Sequence, residues 1–149
     1  MEREEPLNER ARLSTPPPAE PSTRFANLSL GLNATFCNIV GLVFTLTGAF
    51  MADRLGAAGW ILTLFGVAVL FWSFMITLYA NRKVARRHEV GRILKINVGI
   101  IVLGLIVLAI PDSMTSDGKI VLGGWTLFTA AFAAAQYFAH RGLPEISDS

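Results

Sequence analysis

The chain has 149 residues, 52% of them hydrophobic and only 16% charged, with a formal net charge of +2. Soluble domains carry about 25% charged residues, so this composition, with a mean hydropathy of +0.49, excludes an ordinary soluble fold and points to the membrane. The basic balance does not indicate nucleic acid, because the cations sit beside apolar spans and no binding motif accompanies them.

Residues 1–27 hold five of the seven prolines, Pro6, Pro16, Pro17, Pro18 and Pro21, mixed with five glutamates and four arginines. A stretch with so few large apolar groups cannot offset the entropy of ordering and is expected to be a disordered tail. It is not expected to be a secretory signal, since a charged, proline-rich segment precedes the first apolar run.

The first uncharged run, residues 28–50, is 23 residues long. At about 1.5 Å per residue it exceeds a hydrocarbon core of roughly 30 Å. Gly31, Ala34, Asn38, Gly41, Thr45, Gly48 and Ala52 recur along it at spacings of three and four, which places them on one small or polar face. Lipid does not drive such a face inward, whereas close backbone approach and interhelical hydrogen bonds do, so this span is expected at the centre of the packing. A turn with Asp53 and Arg54 leads to a second uncharged run, 57–79. Two such runs joined so tightly form an antiparallel helical hairpin, because hydrocarbon leaves no backbone unpaired.

The connector 80–92 and the residues just beyond it carry Arg82, Lys83, Arg86, Arg87, Arg92 and Lys95 against the single acid Glu89. A third span follows over 93–110 and is stopped by Pro111; a Pro-Asp-Ser-Gly turn precedes the fourth, 120–139, and a short tail, 140–149, ends the chain. The two tails and the connector hold eleven basic residues, and the other two turns only Arg54 and Lys119. By the positive-inside rule both termini and the connector face the cytoplasm. The predicted fold is an all-α transmembrane bundle of four antiparallel helices in two hairpins. The basic block has a second use on an anionic membrane surface, although topology alone explains it.

The hairpins also suggest a repeat: Asn38 and Asn97 each precede a turn aspartate by fifteen residues, and each returning helix opens on Gly-Trp-x-Leu, at Gly59 and at Gly124. No Asp, Glu, Lys, Arg or His lies in the middle of any span; proton-coupled transport and metal or haem chemistry ordinarily need such a group there. The carboxylate that a small multidrug transporter requires in its first helix is replaced here by Asn38 at comparable depth. No nucleophile, metal set or cofactor is therefore predicted. Two readings of Asn38, Asn97 and Gln136 stay open: packing among helices of this or another chain, or lining a polar path.

In the second half, Asn97 opens the third span, Gly124-Trp125 opens the fourth, and Gln136-Tyr137 with Arg141-Gly142-Leu143 closes it. This pattern is similar to that of small bacterial four-span integral membrane proteins with no assigned activity. Here Ala139 and His140 lengthen the gap between the last two motifs. The resemblance implies a bacterial inner membrane and no particular chemistry. Taken together, the expected function is a non-enzymatic membrane protein acting through helix contacts, with the bilayer, another membrane protein or a second copy of itself as partner; the alternative is a small transporter or channel.

Overall fold

The computed structural model describes residues 21–83 and 85–144. It contains four helices, α1 (Pro21–Leu55), α2 (Gly59–Ala80), α3 (Arg87–Ala109) and α4 (Ser116–Gly142), and no strand among the described residues. Each helix is long and apolar enough to cross a membrane, which marks a multi-pass membrane protein of the expected all-α class.

Helix α1 begins seven residues before its apolar run. Residues 21–27, expected within the disordered tail, are helical; the rest of that tail lies outside the described residues. Pro21 has the fixed φ and missing N–H that suit a first helical position. Thr23 and Ala26 are buried in this extra turn, where Ala26 packs in one cluster with Ala139 and Leu143 of the chain's other end. The Asn27 side-chain amide donates to the Arg82 carbonyl at 2.9 Å. Tertiary contact thus offsets a composition that alone favours disorder.

The basic connector is shorter than predicted, because α3 starts at Arg87 and takes Arg87, Arg92 and Lys95 into its first turns. Glu89 in that first turn suits the positive end of the helix dipole.

All neighbouring pairs run antiparallel. Helix α2 packs on α1, α1 on α4, and α4 on α3, while α2 and α3 barely touch. The central position predicted for α1 is therefore shared with α4. At the end away from the termini, α1 and α4 are clasped together. Gly56 takes φ 70° just after α1 ends, the left-handed conformation that closes a helix at little cost for glycine. The Thr115 hydroxyl donates to the Arg54 carbonyl at 2.5 Å and accepts from the Gly118 N–H at 3.1 Å, capping α4 while holding the end of α1. Arg54 pairs with Asp117 at 2.7 Å across the clasp. Thr115→Val should lose both the cap and the clasp, lowering stability by about 1–2 kcal/mol; thermal unfolding in detergent, followed by circular dichroism, measures it.

The bundle is apolar outside and polar within. Phe50 (89% exposed), Ile120 (73%), Leu127 (71%) and Leu46 (70%) face outward, whereas Asn33, Ser73, Asn97, Thr129 and Gln136 are buried. A surface of this kind suits hydrocarbon, where helices associate through small and polar groups.

Candidate functional site

The predicted stripe on α1 splits into two rows. Ala34, Gly41 and Gly48, seven residues apart, are buried against α2. A methyl added at Gly41 would lie 2.9 Å from the Leu70 nitrogen, and at Gly48 2.8 Å from the Thr63 nitrogen. From the other side, a methyl at Gly66 would press on the Thr45 backbone nitrogen and at Gly59 would come within 2.8 Å of the Ala49 Cα. Backbone therefore meets backbone along this seam, and the Ser73 hydroxyl adds a 2.8 Å hydrogen bond to the Ala34 carbonyl.

Of the second row, Gly31, Asn38 and Thr45, only Thr45 reaches the seam, where its backbone meets Gly66; Gly31 and Asn38 lie beside it. Gly31 is half-buried with open space where a side chain would go. Thr45 is half-buried, its hydroxyl enclosed and without a partner. Asn38 is exposed, so within one chain it neither packs in the seam nor meets the other two amides.

Those two do meet. Asn97 on α3 donates from Nδ2 to Gln136 Oε1 on α4 at 2.9 Å, with both residues buried. The Gln136 Nε2 group has no acceptor, nor does Nδ2 of Asn33, a residue 2% exposed that the stripe did not include. Asn33 lies one turn before Cys37, whose thiol donates to its Oδ1 at 3.5 Å. Both belong to the face of α1 turned to α4, where Phe36 contacts Trp125, Phe128 and Phe132. A signal for Asn33 is present in the sequence, where Ala26, Leu30, Asn33 and Cys37 follow one another at spacings of three and four and so share one face.

The helix pair that does not pack leaves an opening. A cleft of about 640 Å³ lies in the half of the bundle away from the termini, with Phe44, Leu62, Phe65, Leu103, Val107 and Phe128 among its lining residues. It offers an apolar occupant room and a polar one almost nothing to bind.

At the opposite end, the basic residues divide in role. Arg82 pairs with the nearly buried Glu89 at 2.6 Å and stacks over Tyr79. Glu89 thereby avoids being an uncompensated charge, the costly state for a buried carboxylate. Lys83, Arg86, Arg92 and Lys95 are exposed and Arg87 is half-buried, so the first four present a cationic rim. Among the described residues no three His, Cys, Asp or Glu side chains come together.

The proposed duplication is not reflected in equivalent environments. Asn38 is exposed and Asn97 buried; Trp60 is 70% exposed and Trp125 stacks on Phe36 at 5.4 Å. Comparison with family models, curated proteins and solved structures returns no match to this chain.

Proposed function

We propose that this is a non-enzymatic integral membrane protein that works through helix–helix contacts, as an accessory, assembly or sensory subunit of the bacterial cytoplasmic membrane. One observation carries the reading: the polar side chains within the spans do not form a common path. Asn97 and Gln136 bond to one another, Ser73 bonds to the Ala34 carbonyl, Asn38 is turned away from all of them, and the cleft is apolar. A transporter or channel along Asn38, Thr45, Asn97 and Gln136 would need these groups on one surface.

The cationic rim supports an orientation with both termini and the connector in the cytoplasm, by the positive-inside rule. In a Cys37→Ala background, His88→Cys should react with impermeant maleimide only from the cytoplasmic face and Asp112→Cys only from the other. Labelling in the reverse sense would remove the orientation. The functional reading is tested by isolating the intact protein in mild detergent and identifying stoichiometric membrane partners. Solute or ion flux through vesicles containing the purified chain alone would overturn it.

A further inference from the structure

We propose that Asn38 is the centre of a self-association surface, through which two copies of this chain pair in the same membrane orientation. The inference rests on the reading above, that the protein acts through helix contacts, and names the partner as a second copy.

Depth comes first. Asn38 lies 14 residues from Arg24 and 15 from Asp53, the nearest charges along α1. At about 1.5 Å per residue they are about 21 and about 22 Å away, so Asn38 sits close to the midplane of a core whose half-thickness is about 15 Å. A side chain this short does not reach the headgroups, and lipid tails supply neither donor nor acceptor.

The chain itself leaves the amide unanswered. Asn38 is exposed and makes no side-chain hydrogen bond. The carbonyl one turn behind it, that of Ala34, already accepts the helical N–H of Asn38 and the Ser73 hydroxyl, which occupies both lone pairs. Around Asn38 the same face carries Gly31, with nothing within 4 Å of where a side chain would begin. It also carries exposed Thr35, Leu42 and Ala49. A second helix can therefore approach closely on the Gly31 side of the amide and pack against Leu42 on the other.

The second copy is favoured over a different partner by the chemistry of the group. A carboxamide holds one donor end and one acceptor end, so two copies related by a two-fold axis along the membrane normal satisfy each other reciprocally. Copies inserted with the same orientation bring Asn38 to the same depth without further adjustment.

The test uses the full chain in lipid vesicles, with donor- and acceptor-labelled copies mixed at varied protein-to-lipid ratio and energy transfer read as the dimer fraction. The wild type should dimerise. Asn38→Leu should weaken dimerisation about tenfold, in line with measured interhelical hydrogen bonds in membranes. Gly31→Leu, whose Cβ has nothing within 4 Å, should weaken it also, and Asn38→Gln should retain much of it. In a Cys37→Ala background that keeps Asn38, Leu42→Cys, one turn from the amide on the same face, should give a disulfide-linked dimer on mild oxidation, while Ile39→Cys on the neighbouring face should not. A wild type that stays monomeric at every density, or an Asn38→Leu variant that pairs as well as the wild type, overturns the proposal. Capture of a different membrane protein by a monomeric chain would overturn this surface while leaving the contact-based function standing. Flux by a dimer that still requires Asn38 would overturn that function and keep the surface.

Discussion

Gly66→Ala is expected to destabilise the first hairpin by about 3 kcal/mol, the upper part of the range for forcing extra volume into packed sites. Ordinarily alanine is the better helix former by about 1 kcal/mol, so the sign depends on space. At Gly66 the new methyl would meet the Thr45 backbone nitrogen and lie 2.7 Å from Thr45 Oγ1 and 2.8 Å from the Phe44 carbonyl carbon. Backbone cannot rotate away as a side chain does, so α1 and α2 must part along the seam. Separating them also loosens Gly41 and Gly48 and lengthens the Ser73 bond to the Ala34 carbonyl, which lies on the same seam. Gly31→Ala and Gly99→Ala provide the contrast: nothing lies within 4 Å of either added atom, and a gain of about 0.5–1 kcal/mol is expected. Unfolding midpoints of the three variants in one detergent, by circular dichroism, should differ in sign; equal midpoints would mean a wider α1–α2 separation.

The gross architecture could be read from hydropathy and charge because the bilayer restricts the choices so strongly. An apolar run long enough to cross has one permissible backbone, and four such spans joined by short connections pack as neighbouring antiparallel helices. Helix ends were harder. Pro21, Thr23 and Ala26 look like tail on composition, and only their contact with the end of α4 makes them helix. Arg87 and Arg92 look like connector because charge marks the limit of the hydrocarbon, and not the limit of the helix.

The small-residue stripe shows what spacing can and cannot say. Alternating steps of three and four average 3.5 residues, close to one helical turn, and so describe two adjacent rows. Only a facing partner decides which row is buried. On α2, Leu70 and the Gly66 carbonyl lie against Gly41, Leu62 and Thr63 against Gly48, and the Ser73 hydroxyl bonds to Ala34, which selects that row. Gly31 and Asn38 are left on the flank. Asn97 and Gln136 were identifiable as rare amides in apolar spans, yet their pairing required the register of α3 against α4. That register is visible at two other places, where Gly104 admits the Thr126 hydroxyl and Gly91 lies under the His140 ring.

Asn97→Leu is expected to cost about 1–3 kcal/mol, the penalty for stripping the partner from a buried polar group. Gln136 is fully buried and its Nε2 already lacks an acceptor; without Asn97 its Oε1 loses its donor too, and the whole carboxamide faces hydrocarbon. Gln136→Leu should cost less, because it removes the unanswered Nε2 together with the bond and leaves only Asn97 to be accommodated. The double variant should recover much of the loss, since two leucines leave no polar group to satisfy and suit the apolar surroundings of Ile93 and Ala139. A double-mutant cycle on unfolding free energies should give a coupling of about 1 kcal/mol between the two sites. The ranking also separates the two functional readings. If the pair holds α3 to α4, stability moves and partner capture moves with it. If the amides serve a polar path, the single substitutions abolish flux in reconstituted vesicles, and the double variant, however stable, stays inactive.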